Sequence, residues 1–145
     1  MTRAALPLLS VLLSTVLGAG GPAVAADLVV IVSARSTATA LSGDQVAAIF
    51  LGQSAELPDG ALVTAIDQPV GTAARDQFYV KVASKSPALL KAYWSKLLFT
   101  GRGQPPREVS GNAAVKKMVA DTPGTIGYIE RSALDASVRP VLVLR

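Results

Sequence analysis

A chain of 145 residues, half of them hydrophobic, is long enough for one domain with a buried core. Its formal charge of +4 comes from scattered Lys and Arg side chains. That argues against a nucleic-acid surface and supports only a general preference for anions. The chain has no cysteine and no histidine. This excludes disulfides, thiol nucleophiles and a lipid-modified cysteine, and it removes the commonest metal ligand and general base.

Met1 to Ala25 has the layout of a cleaved secretory signal: one cation at Arg3, an apolar run from Ala4 to Leu17, then small residues at Ala23-Val24-Ala25. The run is shorter than the roughly 20 residues of a membrane span. Cleavage after Ala25 leaves residues 26–145 as a single domain, periplasmic or secreted, with no membrane span. Losing Arg3 lowers the formal charge to +3.

The remaining chain alternates strands and helices. Asp27 to Val32 is apolar and β-branched, which predicts a strand covered on both faces. Ser33 to Leu41 is a small polar loop after it, and its Ser36 and Thr37 are candidate ligand contacts; a plain connector is the other reading. Ser42 and Gln45 fit the reciprocal Ser-x-x-Gln cap of a helix with Val46, Ala47, Ile49 and Phe50 on its apolar face. Gly52 suits the left-handed stop. Ala61 to Ile66 predicts a second strand.

Asp67 to Thr72 then leads into a helix from about Ala73 to Val82. Gly71 permits unusual backbone angles, and a helix start offers free N–H groups and a positive dipole end. Thr72 can cap the helix or donate its hydroxyl to an anion. Arg75 follows one turn in, where its guanidinium can pair with an oxyanion. Gly71, Thr72 and Arg75 are therefore the leading ligand-binding candidates.

Ser86-Pro87 predicts the cap and first position of another helix. Its run of Leu89, Leu90, Tyr93, Trp94, Leu97 and Leu98 reads as the heaviest core helix. Thr100 to Pro106 is an irregular loop with two glycines and two prolines. Arg102 within it and Arg107 after it form a candidate partner-binding loop. Gly111 to Glu130 predicts helix, turn and strand, with Ser110 or Asn112 as cap, a stop at Pro123-Gly124, and Gly127 allowing close approach of another backbone. A short helical turn at Arg131 to Asp135 precedes a last strand, Val138 to Leu144, whose Pro140 favours a sheet edge.

Three stretches also carry a family resemblance. Leu41–Gly52 (LSGDQVAAIFLG), Asp67–Phe78 (DQPVGTAARDQF) and the run Gly-Asn-x-x-Val with Thr-Pro-Gly-x-Ile-Gly-Tyr-Ile-Glu in Gly111–Glu130 occur in one order. In that order they resemble phosphate-type substrate-binding proteins of bacterial ABC importers. The resemblance covers about Leu28 to Val143 but only part of a full-length member. It implies an α/β fold with a small, mostly parallel sheet and flanking helices, like one lobe of a type 2 periplasmic binding protein. It implies a bound phosphate or similar small oxyanion and an ABC permease as partner. A chain too short for the two-lobe clamp would either pair with a second copy, as a homodimer, or bind weakly. The family pattern near the ligand looks like Arg-x-x-Gly-Ser-Gly-Thr. Here only Gly71-Thr72 match; Ile66 or Asp67 stands at the arginine and Val70 at the serine. Losing that arginine removes a charge-assisted contact of about 1.5–3 kcal/mol.

Neither a catalytic nor a metal site is expected. No Ser-x-x-Lys pair occurs, and the acids show no metal-loop spacing. No cofactor is implied. The rival to a solute-binding protein is an envelope interaction module, touching for example a sensor protein through the Thr100–Arg107 loop.

Overall fold

The structure is a computed structural model, and it describes residues 26–145. The expected signal, Met1–Ala25, lies outside the described residues. In chain order the elements are β1 (Leu28–Ser33), α1 (Gly43–Phe50), β2 (Thr64–Asp67), α2 (Ala73–Ala83), α3 (Pro87–Phe99), β3 (Arg107–Glu108), α4 (Asn112–Asp121), β4 (Thr125–Glu130) and β5 (Val138–Leu144). A 3₁₀ turn at Arg131–Ala133 joins the last two strands.

The strands form one sheet in the order β3-β2-β4-β1-β5. β2 runs parallel to both β3 and β4, whereas β1 is antiparallel to β4 and to β5. Four strands therefore point one way, and β1, in the interior of the sheet, points against them. Every residue of β1 is buried. Leu28, Val30 and Val32 face one core with α1, α2 and α3, while Val29 and Ile31 face a second core with Val115 and Val119 of α4. Period-two alternation with helices on both sides explains why the whole strand is apolar.

Local side-chain caps account for two of the four α-helix starts among the described residues. Ser42 Oγ accepts from the Gln45 N–H at 3.2 Å, and Gln45 Oε1 accepts from the Ser42 N–H at 2.9 Å. Ser86 Oγ accepts from Leu89 N–H, with Pro87 opening α3. α4 departs from expectation: neither Ser110 nor Asn112 caps it, and Gly111 takes that place with φ of 104°. Asn112 Oδ1 instead accepts from Glu130 N–H and from Gln68 Nε2, tying α4 to β4 and to the loop after β2. Gly127 admits side chains most closely, with the Ile66 carbonyl of the neighbouring strand 3.6 Å from where a Cβ would stand. A Cβ there would lie 2.5 Å from Val115 Cγ1, so α4 sits directly on β4 because that residue is glycine.

The larger core holds an aromatic group beneath the sheet. Phe78 stacks on Tyr128 with ring centroids 3.9 Å apart, and Phe50 meets Phe78 edge-on at 4.7 Å. α3 contributes less than its composition suggests. Leu90 and Trp94 are buried, but Leu89, Leu98 and Phe99 are exposed. One stripe of α3 packs inward, and no described element covers the remaining apolar surface. Pro140 lies on the edge strand β5, beside a register shift at Val30/Ile31. No helix among the described residues is long and apolar enough to cross a membrane.

Candidate functional site

β2 ends at Asp67, a carboxylate only 1% exposed. Burying a charge this deeply costs several kcal/mol unless it is paired and hydrogen-bonded. Asp67 meets both conditions. Oδ1 accepts from Tyr128 O–H at 2.5 Å and from Gln68 N–H at 2.8 Å. Oδ2 accepts from Tyr79 O–H at 2.6 Å and from Arg75 Nε at 3.4 Å. Burial, and then the Asp67 charge, push both tyrosine hydroxyls well above their usual range, so they stay protonated as donors. Gln68 locks the loop from the other side, donating through Nε2 to Tyr128 O at 3.0 Å and to Asn112 Oδ1 at 3.3 Å. With both oxygens filled by protein donors, Asp67 has little left to offer a metal or a protonated ligand.

The loop then turns outward. Gly71 is exposed, has φ of 88°, and a Cβ built on it would meet nothing within 4 Å. Its backbone angle calls for glycine, while the space above it is open. Thr72 is the N-cap residue of α2 but makes no side-chain bond to the first turn. Its hydroxyl donates instead to Pro69 O at 2.8 Å, because the Pro69 carbonyl turns back over the loop. The first turn of α2 is therefore left without a side-chain cap, at an exposed tip. This departs from the capping role open to Thr72 and leaves the first N–H groups of the helix without a side-chain acceptor.

Arg75 is one turn further in and only 7% exposed. Besides Asp67 it meets the Tyr79 ring, with Cζ 5.2 Å from the centroid. It also lines a groove of about 520 Å³ between α3, Val70 and the segment around Pro105. Gly71, Thr72 and Arg75 are thus brought together at one end of the sheet.

Ser36 and Thr37 are not. Because β1 runs against β2 and β4, the loop after β1 leaves at the opposite end of the sheet. There Thr37 Oγ1 donates to Asp59 at 3.0 Å, and Ser36 Oγ accepts from Ala38 N–H. The expectation that they join Gly71 assumed a parallel β1. Arg102 and Arg107 are exposed, Arg102 in the turn after α3 and Arg107 on β3 opposite Ile66. Neither forms an ion pair among the described residues.

Sequence reasoning missed the roles of Gln68, Tyr79, Asn112 and Tyr128. A charged residue closing an apolar strand was the available sign that some buried partner set had to exist. It also missed the groove along α3, whose sign was an excess of large apolar residues for a helix with one inward stripe.

Neither a protein-family model nor a curated protein matches the chain. Solved structures do. A substrate-binding protein of the phosphate ABC transporter type from Clostridium perfringens, with bound phosphate, is similar at 23% identity and a TM-score of 0.62, over 80% of this chain and 45% of that one. An ABC-type phosphate transport receptor from Vibrio cholerae gives 17% identity and a TM-score of 0.63, over 80% and 46%. PstS from Borrelia burgdorferi gives 17% and 0.56, over 80% and 47%. The chain spans under half the length of each of these structures. At such identities the likeness establishes the fold: α/β, a sheet flanked by helices, like one lobe of a periplasmic binding protein. The three sequence stretches and the fold lead to the same family of structures.

Proposed function

We propose that the protein is a secreted or periplasmic solute-binding protein for phosphate or a similar small oxyanion, linked to ABC-type uptake. One observation carries this reading: an exposed α2 start without a side-chain cap, entered through Gly71 at φ 88°, in a fold shared with a phosphate-bound structure. First-turn N–H groups and the helix dipole attract the anion, and Arg75 approaches it from the groove side. Thr72 supplies position rather than a free hydroxyl. Ser36 and Thr37 take no part. The site is static and one-sided, and a second copy or another chain would supply an opposing wall. The non-enzymatic reading agrees with neighbours that are binding proteins.

Calorimetry with inorganic phosphate tests the proposal. Saturable heat below millimolar phosphate, abolished by Thr72→Asp at the exposed tip, is the expected result. No heat at millimolar phosphate, with Arg75→Ala changing nothing, removes it.

A second reading, an envelope interaction module, draws on the Asp67–Arg75 pairing, which reduces the charge available to phosphate. It predicts capture of an envelope partner, such as a sensor's outer domain, that depends on Arg102 and Arg107.

A further inference from the structure

The groove beside the α2 start is built unlike a site for a bare inorganic anion. Leu90 and Trp94 form its buried wall, and Val70 and Leu98, exposed by 70% and 53%, form its rim with Pro105. Its volume of about 520 Å³ lies within the range of small-molecule sites, roughly 300–1,000 Å³. The exposed Lys91 and Glu108 add one charge of each sign, so the rim has no net preference.

Arg75 breaks that balance. Asp67 engages only its Nε edge. Among the described residues neither Nη group has a hydrogen-bond partner, yet neither is sealed off, since Trp94 Nε1 is the one buried polar side-chain atom without a partner. The Nη groups therefore keep some contact with solvent, and Arg75 lines the groove. The end-on edge of a guanidinium is a two-pronged donor suited to a carboxylate. Asp67 leaves that edge free, and its own charge is shared among two phenols and a backbone N–H. Trp94, whose Nε1 lacks a partner, also lines the groove. Trp94 Nε1 is itself buried, so the donors left for a solute are the Arg75 Nη groups, and a ligand that completes them must bring acceptors. The walls around those donors reward an apolar body.

We infer that the groove takes an organic anion with an apolar body, its acidic head on the Arg75 Nη groups and its body along Trp94, Leu90 and Leu98. This deepens the reading of the α2 start and Arg75 as an anion site and rests on it.

Trp94 is the sole tryptophan of the chain, so its fluorescence reports on the groove directly. Purified protein is titrated with 4-phenylbutyrate, with the uncharged 4-phenylbutanamide, and with inorganic phosphate. A saturable fluorescence change with the carboxylate, at least tenfold weaker with the amide and abolished by Leu98→Glu at the exposed rim, is expected. Arg75→Gln should bring carboxylate and amide to equal affinity. Because that variant disturbs a buried pair, Leu98→Glu serves where Arg75→Gln does not fold. Equal binding of acid and amide to the unaltered protein overturns the role of Arg75. No response to the carboxylate, with phosphate still giving calorimetric heat, overturns the organic-anion inference and leaves the oxyanion reading standing. Failure of both ligands overturns both.

Discussion

Two regions on one side of the sheet handle their surfaces in opposite ways. Around Asp67 the buried carboxylate is matched: two phenols, a backbone N–H and a guanidinium Nε converge on it, and Gln68 and Asn112 close the outer ring. Along α3, one helix away, Leu89, Leu98 and Phe99 stand in solvent, and Leu98 rims an open groove. A domain that satisfies a buried charge so fully has not left its neighbour uncovered for want of packing residues. The first region holds the loop after β2 in place. The second is the surface that loop and helix present outward. Arg75 belongs to both, with Nε in the network while the residue lines the groove.

The comparison breaks most sharply at Asp67. In Asp67→Ala, Arg75 loses its partner and two buried phenols lose their acceptor. Removing one partner of such a buried pair costs about 3–5 kcal/mol. Urea unfolding should show that loss, and a change under 1 kcal/mol would mean the network does not hold the loop.

The tyrosines sharpen the contrast through pH. Tyr79 and Tyr128 titrate above their ordinary value of 10 in the folded state, because burial and then the Asp67 carboxylate oppose a phenolate. Above pH 10 the unfolded chain releases protons that the folded chain keeps. Stability is therefore complete below that pH and falls as pH rises past it, by about 1.4 kcal/mol per pH unit for each tyrosine. Tyr128→Phe should be less stable at neutral pH and show a shallower alkaline slope. Unchanged slopes in urea melts between pH 9 and 11 would place these hydroxyls in contact with solvent.

How much of this was written in local sequence differs between the regions for a physical reason. Caps and turns are local, so Ser42-Gln45, Ser86-Pro87 and the strand Val138–Leu144 could be read directly. The Asp67 network is not local: its phenols lie 12 and 61 residues away. The apolar run of β1 reports that both faces are covered and says nothing of strand direction. An antiparallel β1 keeps the same burial while sending Ser36 and Thr37 to the far end. Gly71, Thr72 and Arg75 were found together because one loop and one helix turn hold all three.

The smallest effect is expected on α3. Phe99 is 93% exposed, so Phe99→Ser removes little buried area and should change stability by no more than about 0.5 kcal/mol. The measurement has meaning beyond stability. A large exposed aromatic is tolerated singly, but Phe99 follows directly on Leu98, which with Val70 rims the groove. If a second copy covers that side in solution, Phe99→Ser should lower stability by an amount that grows with the logarithm of protein concentration, and shift the gel-filtration volume toward the monomer. If α3 is free in solution, both readings stay flat at every concentration. The groove is then open to small solutes in each molecule, and the contrast between a closed polar network and an open apolar face holds for the single chain.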